Sequence, residues 1–394
     1  MGRPFIQAKR LGQLPPYPFA ELDRIKKKAV AAGRPIIDFG IGDPDEPTPL
    51  PVISAMARAM RDPATHRYPI GSGSALFRGA VADWYKKRFG VTLNPAGEVV
   101  ALIGSKEGIA HFPWAFVNPG ETVFVPDPGY PVYRATTILC GGRPETMPLL
   151  RENAFLPDLE AVARKLRRGM KARMMFINYP NNPTGATAPR EFYRRVISLA
   201  GKYGFIVAHD AAYSEIYFDG ADRPLSFLAL PGAKDVGIEF HSVSKTCNMT
   251  GWRIGFAVGN PALVGGLARL KENLDSGAFE AIQRAAVTGL ARSTEFSGKT
   301  CRTLLERREI LVNGLRTLGL PAPRPRATFY VWTPLPPNIK SADFARWLLE
   351  KADIVATAGV GFGKFGEGYI RFSLTVGTAK IREACRRLEK LAGR

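Results

Sequence analysis

Lys245 sits in the string His241–Ser242–Val243–Ser244–Lys245–Thr246, and Arg253 follows it eight positions on. Upstream, the apolar run Phe205–Ile206–Val207–Ala208–His209 ends in Asp210, with Tyr213 three residues beyond. An amine, a carboxylate, a phenol, two hydroxyls and a guanidinium can serve one kind of chemistry together. The amine can condense with an aldehyde, and the carboxylate can pair with a protonated pyridine nitrogen. The phenol can donate to a phenolic oxygen, while the hydroxyls and guanidinium suit a phosphate. Pyridoxal phosphate presents all of those partners. The set predicts an enzyme that exchanges amino groups.

Each member has a plainer reading when taken alone. An aspartate ending a strand often caps the following helix, and a loop lysine is often a solvated charge. The spacing of Asp210 to Lys245 and Arg253 reverses those odds. Lys245 then has two expected jobs: covalent capture of the aldehyde, and proton transfer at the substrate α-carbon. Partial burial and the nearby cation Arg253 are expected to lower its pKa. For the phosphate, Gly104–Ser105–Lys106 opens a helix and offers backbone N–H groups, with Ser242, Ser244 and Arg253 completing the set. The GxxxxGK[ST] spacing of a nucleotide loop is absent. Asn182, in Tyr179–Pro180–Asn181–Asn182–Pro183–Thr184–Gly185, reads as a plain turn or as an amide donor to the phenolic oxygen, a role Tyr213 could share. Tyr130, in Asp127–Pro128–Gly129–Tyr130–Pro131, is expected against the ring face. Arg371 stands inside the apolar run Tyr369–Ile370–Arg371–Phe372–Ser373. It reads as a snorkelling edge residue or as a bidentate clamp on a substrate α-carboxylate, and the clamp explains it better.

The elements that must position these residues alternate. Short apolar runs are expected as strands at Val99–Ile103, Thr122–Val125, Arg173–Ile177, Phe205–Ala208, Gly237–Phe240 and Ile254–Val258. Helical patterns lie between most of them, including Gly104 towards Phe116, Pro189–Tyr203 and Pro261–Leu274. That alternation predicts an α/β fold with a mostly parallel, covered sheet. Earlier, helices are expected over Phe19–Ala31, Pro51–Met60 and Ser74–Phe89, with a strand-like run at Ile36–Ile41 and prolines at 15, 16 and 18. The last hundred residues read as helix-rich, then Thr328–Trp332, helix Ser341–Lys351 and strand Tyr369–Leu374, which suits a smaller α+β unit. Lys245 itself falls on a stretch without regular periodicity.

At 394 residues the chain can bury a large core, and 45% hydrophobic with 23% charged residues is ordinary for a folded protein. No apolar run reaches the roughly eighteen residues of a membrane helix. Cys140, Cys247, Cys301 and Cys385 are scattered without a CxxC pair, which predicts a reducing, cytoplasmic setting and neither a zinc site nor a disulfide framework. The formal charge of +20 could draw nucleic acid or anionic small molecules. The basic residues are dispersed along helical stretches, without a basic tail or aromatic-basic stripe, so nucleic-acid binding is not expected.

Asn182–Pro183–Thr184–Gly185, Asp210 with Tyr213, Ser242–Val243–Ser244–Lys245 with Arg253, and Arg371 with Phe372 together resemble the fold-type I pyridoxal-phosphate enzymes of the class I/II aminotransferase group. The resemblance runs over nearly the whole chain. It implies a mostly parallel seven-stranded sheet sandwiched by helices and a smaller α+β domain. The implied divisions are an N-terminal arm and part of the small domain at residues 1–45, a large cofactor domain at 46–287 and a small C-terminal domain at 288–394. It makes Lys245 the covalent attachment point, Asp210 the ring-nitrogen partner and Arg371 the α-carboxylate clamp, with a cis Asn182–Pro183 bond. It also implies a homodimer with shared active sites, in which Tyr68 reaches the neighbouring subunit's phosphate and the segment around Gly40 closes over substrate. Longer strings, Phe39 to Asp45, Ile103 to Ile109, Asp210 to Ile216 and His241 to Gly251, are similar to the branch of this group that acts on LL-diaminopimelate with 2-oxoglutarate. Aspartate, alanine or broad-specificity transfer are the alternatives, followed by a lyase and by a non-catalytic binding protein.

Overall fold

The computed structural model describes residues 5–14, 20–218 and 223–393. The prolines at 15, 16 and 18 lie outside the described residues, and the first long helix is Ala20–Ala31. Along the chain the strands begin with Ile37–Asp38 (β1), Val99–Leu102 (β2), Thr122–Asp127 (β3) and Arg143–Pro148 (β4). Ala172–Asn178 (β5), Ile206–Asp210 (β6), Gly237–Ser242 (β7) and Gly255–Gly259 (β8) follow. Tyr330–Pro334 (β9), Ile354–Val355 (β10), Thr357–Ala358 (β11) and Tyr369–Ser373 (β12) complete the set.

Seven strands form one sheet in the order β2-β8-β7-β6-β5-β3-β4. Only β8 runs against its neighbours β2 and β7; the other pairings are parallel. Strands β2, β3, β7 and β8 are buried at every position, as expected for strands covered on both faces. One face packs on a core holding Phe77, Trp84, Tyr193, Val196 and Ala285 from helices Ala75–Phe89, Arg190–Tyr203 and Glu280–Ala291. The other packs on Ile109, Phe112, Tyr133, Val264 and Leu267 from helices Ser105–Phe116, Val132–Leu139 and Pro261–Glu272. Helix ends follow their local chemistry. Ser74 Oγ accepts from Phe77 N–H at the start of Ala75–Phe89, and left-handed Gly90 closes that helix.

A second core gathers Leu304, Leu311, Leu315, Phe344, Leu348, Ile381 and Leu388 over the sheet β11-β12-β9. Helix Ser293–Thr317 touches both cores, with Phe296 in the first and Leu304 onward in the second. The short β1 pairs in parallel with β10, which stitches the early chain to this smaller unit.

Two expectations change, and one strand had no counterpart in the sequence reading. The run at 36–41 yields only β1, and Gly40 and Ile41 beyond it line the cavity described below. Strand β4 had no apolar signature: Arg143–Pro148 carries two prolines, which an edge strand tolerates. Lys245 lies on a regular turn after all, since β7 passes directly into the four-residue helix Val243–Thr246.

Candidate active site

The carboxyl ends of β2, β3, β5, β6 and β7 share one edge of the large sheet, where ligands of open α/β sheets bind. Five connections leave that edge, carrying Ser105 and Lys106, Tyr130, Asn182, Asp210 with Tyr213, and Ser242 with Ser244 and Lys245. Arg253 precedes β8, and because β8 runs the opposite way its start falls at the same edge. The smaller unit closes the other side with Arg371, Tyr330 and Phe362, and the early chain adds Asp38, Gly40, Ile41 and Gly42. These residues enclose a cavity of about 420 Å³.

Asp210 is buried and accepts from Tyr133 Oη at 2.7 Å and from Ala212 N–H at 3.1 Å. Burial raises its pKa above the usual carboxylate range, against the hydrogen bond from Tyr133 that opposes it. A buried carboxylate of this kind is completed by a cation, and a protonated ring nitrogen is one. Lys245 Nζ lies 3.3 Å from the Gly42 carbonyl and 5.5 Å from the Phe329 ring centre. Burial pushes the lysine down to about 8; Asp43 and Asp210 pull the other way, and Arg253 and Arg371 add to the depression. Burial and Arg253 are the two causes expected from the sequence.

Arg371 is buried at the centre of β12, opposite Thr357 and Trp332. Its Nη1 donates to Asn182 Oδ1 at 2.9 Å, and its Nη2 donates to the Gly40 carbonyl at 2.7 Å. The guanidinium lies between Tyr330 and Phe362, 4.1 and 4.6 Å from their ring centres. It does not snorkel. The bond to Asn182 assigns that amide's oxygen to the arginine and leaves its NH₂ as the donor end. The Asn182–Pro183 peptide is cis. Tyr213 Oη is 3.1 Å from Tyr330 Oη, and burial raises the Tyr213 pKa well above that of an ordinary phenol, so it remains a proton donor.

Two glycines are required by close approach. Gly104 has φ of +78°, and a Cβ there would meet Arg253 Nη2 at 2.5 Å. A Cβ on Gly42 would overlap Tyr330 Oη at 2.0 Å. Of the residues expected at the site, only Gly104 and Tyr68 do not line the cavity. Gly104 packs behind Arg253, and Tyr68 is 93% exposed.

The sequence reading missed Asp38, Tyr133, Tyr330 and Phe362. No local pattern marks them, although aromatic residues beside glycines at Phe362 offered a weak signal. Pyridoxal phosphate fits what is present: an anionic partner for a ring nitrogen, an amine of depressed basicity, phenol and amide donors, and a cluster of two serines, a lysine and an arginine around a glycine turn.

Residues 34–388 match the family model of aminotransferase class I and II. The chain belongs to that family and is a pyridoxal-phosphate-dependent aminotransferase acting on small amino and 2-oxo acids. It is 54% identical over 388 residues to an LL-diaminopimelate aminotransferase of Syntrophobacter fumaroxidans, covering 98% of this chain and 99% of that one. Substrate-bound BacF from Bacillus subtilis superposes with a TM-score of 0.93 at 35% identity, over 98% of both chains. An aspartate aminotransferase of Thermus thermophilus reaches a TM-score of 0.91 at 25% identity, over 98% of this chain and 100% of that one.

Proposed function

We propose that this aminotransferase moves an amino group between LL-diaminopimelate and 2-oxoglutarate. The observation that carries the substrate is identity above half, along the whole chain, to an enzyme named for LL-diaminopimelate. When bound, pyridoxal phosphate supplies an electron sink for negative charge at the substrate α-carbon. Asp210 would hold the proton of the ring nitrogen, and Tyr213 and Asn182 would donate to the phenolic oxygen. Ser105, Lys106, Ser242, Ser244 and Arg253 would bind the phosphate, Arg253 through two guanidinium donors, with Gly104 leaving room for that guanidinium. Tyr130 would lie against the ring.

Lys245 would anchor the aldehyde carbon and, once free, carry the proton at the substrate α-carbon. An amine near pKa 8 suits that exchange at neutral pH. Arg371 would receive the α-carboxylate in its fork, with the Gly40 segment covering it from solvent. The flanking rings Tyr330 and Phe362 hold the guanidinium in one plane, which supports that reading.

The same reading makes the enzyme a cytoplasmic homodimer with shared sites, Tyr68 entering the second copy's phosphate pocket. The exposure of Tyr68 together with Ile41, Ile53 and Ile70 supports an apolar contact surface. No helix among the described residues is long and apolar enough to cross a membrane. We retain the division into an arm and part of the small domain at 1–45, a large cofactor domain at 46–287 and a small domain at 288–394, which the separate cores on the large and small sheets and the pairing of β1 with β10 support. A stopped-flow panel of LL-diaminopimelate, glutamate, aspartate, alanine and phenylalanine tests the substrate. LL-diaminopimelate is expected to discharge the aldehyde-form absorbance fastest, and a preference for aspartate or alanine overturns it.

A further inference from the structure

Behind the cavity, on the opposite face of the same two strands, lies a buried group of ionisable residues that the reaction does not touch. Strand alternation puts Asp210 and Ser242 towards the cavity and His209, Glu239 and His241 towards the rear. The three rear residues are at most 2% exposed. Glu239 Oε1 accepts from His241 Nε2 and from Tyr85 Oη, each at 2.7 Å. Its Oε2 accepts from the Phe227 N–H at 2.8 Å, from Ser226 Oγ at 3.2 Å, and from His209 Nδ1 at 3.0 Å. A carboxylate so supplied with donors is anionic. The histidine hydrogen bonds hold its pKa far below the usual range, although burial alone would raise it.

The two nearest partners of the His209 ring are both acceptors. Nδ1 faces the carboxylate of Glu239, and Nε2 lies 3.1 Å from the carbonyl oxygen of Tyr179. Neither a carbonyl nor a carboxylate donates, so only a ring protonated at both nitrogens gives a hydrogen bond to each. His241 differs. Its Nε2 donates to Glu239, while its Nδ1 faces the Ser214 hydroxyl at 3.5 Å, which can donate to a neutral ring. Tyr193 Oη, at 3.5 Å from His209 Nε2, is the remaining titratable group against the ring, and burial keeps it protonated.

We propose that His209, held as an imidazolium by Glu239, is a positioning residue for Asp210 and for the turn that carries Asn182. The connection is short. His209 adjoins Asp210 in β6, and the Tyr179 carbonyl it grips stands three residues before Asn182. A second tie reinforces the first: Asn178 Nδ2 donates to the Asp210 carbonyl at 2.8 Å, and its Oδ1 accepts from Asn182 N–H at 2.8 Å. The cation also opposes the effect of burial on Asp210; Tyr133, Tyr213 and Lys245 face that carboxylate from the cavity side. The inference rests on the proposed role of Asp210 as ring-nitrogen partner.

The test uses the full-length protein labelled with ¹⁵N-histidine, in which only four histidines give signals. In coenzyme-free protein at neutral pH, both ring nitrogens of His209 are expected at protonated-nitrogen shifts, assigned by loss of the signals in His209→Gln. A neutral His209 ring in the wild type overturns the inference whatever the variants do. In Glu239→Gln the ring is expected to become neutral, and pyridoxal-phosphate affinity, followed by fluorescence quenching, to fall about tenfold. Glu239→Asp is expected to restore both in part. Asp210→Asn is the control. If it leaves coenzyme affinity unchanged, the role assigned to Asp210 fails. If it weakens binding while a folded Glu239→Gln does not, the positioning role fails and the site reading stands.

Discussion

Asp210 and Glu239 are buried carboxylates on adjacent strands of one sheet, yet they face opposite ways and have opposite surroundings. Glu239 accepts from five protein groups and titrates below the ordinary glutamate range. Asp210 accepts from two among the described residues, and burial moves it upward. The rear of the sheet is a closed electrostatic arrangement. The front is incomplete by design of its donors, and Lys245, crowded by Arg253 and Arg371, is strained in the complementary sense. A buried charge that the protein satisfies by itself is structural, whereas one left short of partners marks where a ligand must contribute.

The sharpest way to break this contrast is Lys245→Ala. Amino transfer is expected to fall on the order of 10³-fold, while thermal stability changes by less than about 1 kcal/mol. Comparable melting curves with lost turnover separate a front-face function from a structural one. Arg371→Ala is the next largest: kcat/KM is expected to fall about 10²-fold for every donor carrying an α-carboxylate. A loss confined to one donor would assign Arg371 to a distal group instead.

Stability of the coenzyme-free protein then compares the two carboxylates directly. Glu239→Gln is expected to lower unfolding free energy by about 3 kcal/mol, because an amide cannot accept from all five buried donors and His209 loses the counter-charge that holds its second proton. Asp210→Asn is expected to leave stability unchanged or raise it. Native Asp210 holds its proton to higher pH than the unfolded chain does, so ionising it costs stability as pH rises through the native value. Equal losses in the two variants, by urea titration at pH 7, would erase the distinction.

The smallest effect is a pH profile. Acylation of Lys245 in coenzyme-free protein, read by mass spectrometry, is expected to rise with pH and level off just above its pKa of about 8. Between that value and the ordinary lysine range the native state holds fewer protons than the unfolded chain. The lysine's contribution to stability therefore increases with pH across that window and is absent below it. A rate still climbing steeply at pH 10 would show an unperturbed amine.

Much of this was legible along the chain because the site is built from strand ends. A strand followed by a short turn delivers its chemical residue within a few positions, so Asp210, Asn182, Lys245 and Arg253 appeared beside recognisable apolar runs. Arg371 announced itself as a charge inside an apolar strand. Strand β4 was invisible, since an edge strand with one face half-exposed needs no continuous apolar signal. Tyr133 was equally silent: it lies on a helix, 77 residues from the aspartate it serves.

By itself the sequence determined the residue types, the order of strands and helices, and the chemistry those types could share, because these depend on local periodicity and short spacings. Only the tertiary structure decided that Arg371 grips Asn182 across 189 residues and that Tyr330 and Phe362 clamp the guanidinium. It also decided that His209 and Glu239 face away from the cavity. Contacts between distant segments follow from how the sheets close on their cores, and the reach of one side chain to another exists only once that packing is complete.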